Sequence, residues 1–188
     1  MPSTTAKGPK RAFAGPRVAS PAPGLLVAVG SFRDFVGNNS GVFTSTDNGA
    51  TWTRRLDAGL PGMVAVSRLA FANSMLGVAV GYGGIWRTED GGITWAAVAG
   101  APDLTGVVSP SDAGGVVWAD ATRVLIHGLG GTILRSSGAA WASDPVGSGT
   151  TLGLNAVRSA SGSPIWVAGD GGTLLSFAAN KWTTVTGG

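Results

Sequence analysis

Short apolar runs, each closed by a glycine, recur along the chain: LLVAVG ending at Gly30, GVAVG at Gly81, VLIHG at Gly128 and IWVAG at Gly169. Three of them lead into a four-residue glycine turn, GYGG (81–84), GLGG (128–131) and GDGG (169–172); the first leads into a longer loop, GSFRDFVGNNSG (30–41). A second run follows each turn, namely GVFTST, GIWRTE, GTILRS and GTLLSF, and a short turn then reaches Trp52, Trp95, Trp141 and Trp182. Upstream of the glycine-closed runs lie further strand candidates, SRLAFA (67–72), GVVWAD (115–120) and LNAVRS (154–159). The first copy has only PRVASPAP there, and its prolines make a poor ladder strand.

The repeating unit is therefore strand, strand, glycine turn, strand, short turn, tryptophan strand, with tryptophans spaced by roughly 40–46 residues. Four short strands in about 40 residues predict a β-propeller blade, whose apolar face is buried only by a neighbouring blade. The expected fold is all-β: a propeller-like array of about four four-stranded blades over residues 24–188, with repeats at roughly 24–60, 64–101, 114–146 and 152–188. The first blade is expected to be incomplete, and residues 1–23 to form an extended arm. A β-sandwich or barrel is the rival architecture; the shared glycine and tryptophan registry favours the propeller.

Composition narrows the chemistry. The 188 residues include 32 glycines, only 12% charged residues and 44% hydrophobic ones, which suits strands and tight turns and excludes a disordered chain. With no cysteine and one histidine, disulfide scaffolds, thiolate metal sites, a cysteine nucleophile and a multi-histidine metal site in one chain are excluded. Neither a metal nor a cofactor is expected. Residues 1–33 carry Lys7, Lys10, Arg11, Arg17 and Arg33 and no acid, so a basic arm precedes a slightly acidic body. No apolar run is long enough to span a bilayer, and the N-terminus has no apolar core of a secretory signal. A cytoplasmic or virion-associated location is the resulting expectation.

The turns STDNGATW and TEDGGITW share a pattern: Ser45, Asp47, Gly49, Thr51 and Trp52 in one, Thr88, Asp90, Gly92, Thr94 and Trp95 in the other. They resemble the Asp-box, or bacterial neuraminidase repeat, Ser/Thr-x-Asp-x-Gly-x-Thr-Trp. The third and fourth copies, RSSGAAW and SFAANKW, keep the tryptophan and lose the aspartate. The resemblance implies a β-propeller in which this turn joins the third and fourth strands on the rim. Its residues explain a structural role directly. An aspartate entering a tight turn accepts backbone N–H groups, glycine supplies a positive φ, and the tryptophan covers the turn. Over Leu76–Trp95 the repeat also looks like the photosystem II assembly-factor propellers, which implies a non-catalytic binder.

Sialidases share the repeat, and the resemblance would then imply an arginine triad, a Tyr–Glu nucleophile pair and an acidic acid/base. Here the one tyrosine, Tyr82, falls in a glycine turn and the one glutamate, Glu89, in an acidic turn. Asp34, Asp57, Asp103, Asp112, Asp120, Asp144 and Asp170 are scattered over turns, with nothing to select a glycosidase pair. His127 sits within a strand candidate, and no helix follows GLGG or GDGG to complete a phosphate loop. No catalytic residue is assigned. Arg68 and Arg158 lie in first-strand candidates and Arg123 near one, so with Lys7, Lys10, Arg11 and Arg17 they are the candidate interaction residues. Trp86, Trp118 and Trp166 are candidate aromatic platforms for a glycan.

The expected function is a non-enzymatic propeller that binds protein as a structural or accessory subunit of a larger assembly, such as a virion, and that is itself oligomeric. The arm is a candidate for contact with an anionic surface, which would weaken with salt. Alternatives are a glycan-binding propeller, a photosystem-assembly-factor-like chaperone, and a degenerate glycosidase.

Overall fold

A computed structural model of the chain describes residues 17–34, 37–55, 66–81, 84–104, 115–120, 122–137, 140–143, 149–159, 164–179 and 181–185. The described chain forms four four-stranded antiparallel sheets, each built from consecutive strands in the order of the sequence. The first holds β1 (Arg17–Ala22), β2 (Leu25–Asp34), β3 (Gly37–Ser45) and β4 (Thr53–Arg55). The second holds β5 (Val66–Phe71), β6 (Gly77–Gly81), β7 (Gly84–Thr88) and β8 (Ala96–Ala97). β9 (Gly115–Trp118), β10 (Val124–His127), β11 (Ile133–Ser137) and β12 (Ala140–Ser143) make the third. The fourth comprises β13 (Leu154–Arg158), β14 (Ile165–Gly169), β15 (Leu174–Ala178) and β16 (Lys181–Thr184). This is the propeller-like all-β fold that the repeats predict.

Two expectations for the first unit are corrected. Its sheet is complete, because Arg17–Ala22 pairs with β2 as an antiparallel strand. The register shifts between Ala19 and Ala22, so Pro21, which has no N–H, falls in the irregularity and interrupts no ladder bond. Residues 17–22 thus belong to the first sheet and not to an arm, while residues 1–16 lie outside the described residues. The stretch read as a loop, 30–41, instead extends the β2–β3 hairpin, with pairing continuing to Asp34 opposite Gly37.

Burial follows the position of each unit in the array. First strands meet in succession, β1 with β5, β5 with β9 and β9 with β13; among the described residues no contact of similar extent joins β13 to β1. The units therefore form an open arc with three apolar seams. Val27, Val29 and Val42 of the first sheet pack against Ala79, Trp86 and Trp95 of the second. Val78, Val80 and Ile85 meet Val124, Ile126 and Leu134. Leu125 and Ile133 meet Leu154, Val157, Val167 and Trp182. The middle sheets are covered on both faces, so GVAVG and VLIH are buried throughout. The last sheet is covered on one face, and IWVAG alternates between buried and exposed positions.

Candidate functional site

The two acidic turns are closed hydrogen-bonded loops. In the first, Asp47 Oδ1 accepts from Ser45 Oγ (2.7 Å) and the Thr51 amide (2.9 Å), while Oδ2 accepts from Thr51 Oγ1. Ser45 Oγ in turn accepts the Gly49 amide at 2.8 Å. The second turn repeats this. Asp90 Oδ1 accepts from Thr88 Oγ1 (2.8 Å), the Ile93 amide (3.0 Å) and the Thr94 amide (2.9 Å), and Thr88 Oγ1 accepts the Gly92 amide at 2.9 Å. Gly92, at φ 91°, carries no side chain because a Cβ there would lie 2.8 Å from Val27 Cγ1 of the first sheet. Trp95 closes the turn by donating Nε1–H to Gly92 O at 3.2 Å.

These bonds set the acidity of the carboxylates. The Thr51 hydroxyl, then its amide, then Ser45 hold Asp47 at about 2. At Asp90, partial burial pushes the value up, but the bonds from Thr94, Thr88 and Ile93 outweigh it and the net shift is downward. Every one of these donors belongs to the turn itself, so both carboxylates act as architectural acceptors. Asp90→Ala should lower the unfolding free energy by about 1–2 kcal/mol through the lost turn bonds. Asp90→Asn should cost less, because one amide oxygen can still accept; urea titration of the two variants checks the order.

The structure reveals a third acidic turn that the repeat pattern does not contain. Asp120 accepts from the Thr122 amide (2.8 Å), Thr122 Oγ1 (2.8 Å) and the Arg123 amide (2.9 Å), and its Oδ2 takes a bond from Arg123 Nε. Desolvation opposes ionisation there, but these bonds hold Asp120 at about 2. The sequence signal is the aspartate two and three residues before Thr122 and Arg123.

The structure does not bring the candidate cations together. Arg68 stands on β5 and Arg158 on β13, the first strands of different units, and Arg123 is engaged by Asp120. Arg158 donates to Val157 O at 2.8 Å. Arg17 opens β1; Lys7, Lys10 and Arg11 lie outside the described residues, as do Tyr82, Asp57, Asp112 and Asp144. Glu89 forms an exposed ion pair with Arg87 at 3.0 Å, and Asp170 accepts Asn155 Nδ2 at 2.6 Å. Among the described residues no group of three or more His, Asp or Glu side chains is placed to hold a metal ion. No helix among them is long and apolar enough to cross a membrane.

Two features escape sequence reasoning. His127 is only 2% exposed. Its Nδ1 lies 2.9 Å from Leu154 O, across the seam to the fourth sheet, and its Nε2 has no hydrogen-bond partner. Burial, reinforced by Arg68 and opposed by the Leu154 carbonyl, lowers its pKa to about 4. The ring fits because its cross-strand neighbour is Gly115, where a Cβ would fall 2.2 Å from Nε2.

The second feature is a cleft of about 480 Å³ between the second and third sheets. Trp95, Trp118 and Trp141 line it, together with Ala97, Val98 and Val124, and the Arg87–Glu89 pair stands at its edge. Trp118 is fixed by Nε1–H donation to Ala70 O of the neighbouring sheet at 3.2 Å. Trp86, the other platform candidate in these units, is core, and Trp166 is exposed on the fourth sheet.

No family model and no curated protein matches the chain. Solved structures do. The GH74 xyloglucanase of Xanthomonas campestris superposes with a TM-score of 0.68 at 19% identity, over 93% of this chain and 30% of that one. YCF48 bound to D1 peptide gives a TM-score of 0.54 at 18% identity over 89% and 66% of the two chains. YCF48 from Cyanidioschyzon merolae gives 0.58 at 15% identity over 92% and 56%. The chain thus spans about 30% of the length of the xyloglucanase. At these identities the likeness establishes the β-propeller fold that these neighbours share.

Proposed function

We propose that this chain is a non-enzymatic binding propeller, a structural or accessory subunit that engages a protein partner within a larger particle. The carrying observation is the tryptophan-lined cleft between the second and third sheets. It offers apolar walls, an indole already anchored by its own hydrogen bond, and an ion pair at the rim, the composition of a site for a short peptide segment. YCF48, whose fold this chain shares, is known bound to a D1 peptide, which supports a peptide as the ligand class and an assembly-factor-like role. The acidic turns support a non-catalytic reading, since their carboxylates are consumed by their own loops. On this reading the two turns are Asp-box turns serving as blade corners. The basic residues Lys7, Lys10 and Arg11 add salt-sensitive contact with an anionic surface of the same particle, and a cytoplasmic or virion-associated location is the proposed setting.

Selection from a random peptide library tests the peptide site. Peptides with an apolar anchor should be enriched, and Ala97→Arg, which fills the cleft from the exposed strand β8, should weaken them at least ~10-fold. Selected peptides that bind this variant as well as the parent, or a library that yields none, would remove the proposal. A glycan is the second reading, favoured by the half-buried indoles of Trp118 and Trp141 in the same cleft; a glycan array read with and without Ala97→Arg separates the two.

A further inference from the structure

The repeat places chemically equivalent residues at every seam, and two of those positions are uncovered at the ends of the arc. The turn tryptophan of each unit points toward the preceding unit. Trp95 packs with Val27 and Val29 of the first sheet, and Trp182 with Leu125 of the third. Trp52 is the same residue in the first unit, and it is 42% exposed where Trp95 is 4% exposed. At the opposite end, Val27, Val78 and Leu125 occupy one position of the second strand and are each buried under the following unit. Trp166 is their equivalent in the fourth unit, and it is 40% exposed.

Cross-strand pairing shows how far each uncovered face extends. On the first sheet Val18 stands beside Ala28 and Ala28 beside Phe43, one row on the face that carries Trp52. Val18 is exposed there. On the fourth sheet Trp166 stands beside Ser176, and Ala168 beside Leu174. A leading face and a trailing face of this kind are what pack together at each of the three seams within the chain. We infer that the trailing face of the fourth sheet packs on the leading face of the first sheet of a second copy, with Trp166 and Trp52 at the centre of the contact. The occupant is a second copy because the chain itself shows what covers each face: a sheet of the same repeat, in the same order. Made twice about a two-fold axis, once in each direction, the contact closes on two copies. The product is a ring of about eight units, within the roughly 4–8 blades of propellers.

This contact is separate from the peptide cleft, and its test is too. The full chain is examined by light scattering and sedimentation over a range of concentrations. A reversible two-copy particle is expected. Trp52→Glu and Trp166→Glu should each raise its dissociation constant at least ~100-fold. Both side chains are already exposed in the single chain, so circular dichroism and peptide binding at the cleft should be unchanged. A one-copy mass at every concentration would overturn the inference. So would a two-copy particle indifferent to both substitutions, or a species that grows into open polymers.

Discussion

Replacing Trp95 with alanine is expected to lower the unfolding free energy by about 3–5 kcal/mol, and the same change at Trp52 by less than about 1 kcal/mol. The two residues occupy equivalent places in the repeat, so composition and local sequence predict equal losses. Packing predicts otherwise. Trp95 is buried in the seam between the first and second sheets, edge-on to Phe71 with ring centroids 6.1 Å apart and planes at 78°. Its indole N–H is used within its own turn. Truncation there leaves a void bounded by Val27, Val29 and Trp86, on two sheets whose backbones are fixed by their own ladders, so collapse is restricted. Trp52 lies beside Gly49 on a face with no preceding sheet among the described residues, and water replaces it. Urea titration in dilute solution, where the chain is single, measures both. Equal losses would mean that the arc of seams is wrong.

The same contrast shows what the sequence discloses. Glycine-closed runs and the tryptophan register give the strands of three units almost to the residue: the candidates at 67–72, 115–120 and 154–159 become β5, β9 and β13. They are legible because each strand's partners lie next to it in the chain. β1 is not, because proline counts against a ladder strand as a whole, whereas only the irregular step between Ala19 and Ala22 has to accept it. The hairpin extension at 30–41 is hidden by a glycine- and asparagine-rich composition that reads equally as a loop. The turn bonds of Asp47 and Asp90 are legible since their donors lie within four residues. The cleft is not, because Arg87 and Trp95 come from one unit and Trp118 and Trp141 from the next. Asymmetry between the ends and the middle of the arc is invisible for a further reason: exposure of Trp52 and Trp166 depends on which sheets stand beside them among the described residues, and their local sequence is that of buried positions.

Acidification from pH 6.5 to 4 is expected to cost the fold about 3 kcal/mol through His127 alone. The folded state holds its pKa at about 4 against an ordinary value of 6.5. Between those values the unfolded chain binds a proton at this site and the folded chain does not. The contribution is therefore complete above pH 6.5 and is lost as pH falls through the folded value. The cause is local. The neutral ring donates Nδ1–H to Leu154 O, so Nε2 is the unprotonated nitrogen, enclosed against Gly115 without a partner. A proton on Nε2 would bury a charge there, in the field of the Arg68 cation. The Leu154 carbonyl is the acceptor facing the ring, and it is already engaged. Asp47 and Asp120, held near 2, lose their contributions only below the ordinary carboxylate range, so the two windows separate. His127→Gln keeps a donor for Leu154 O and does not titrate. Its stability should be lower than that of the parent at pH 7 and nearly flat from pH 6.5 to 4, with the parent curve falling across that interval. Because His127 and Leu154 join the third sheet to the fourth, amide exchange in β13 and β14 should rise first as the parent is acidified. Parallel curves for parent and variant would place the histidine in water and remove the buried ring from the seam.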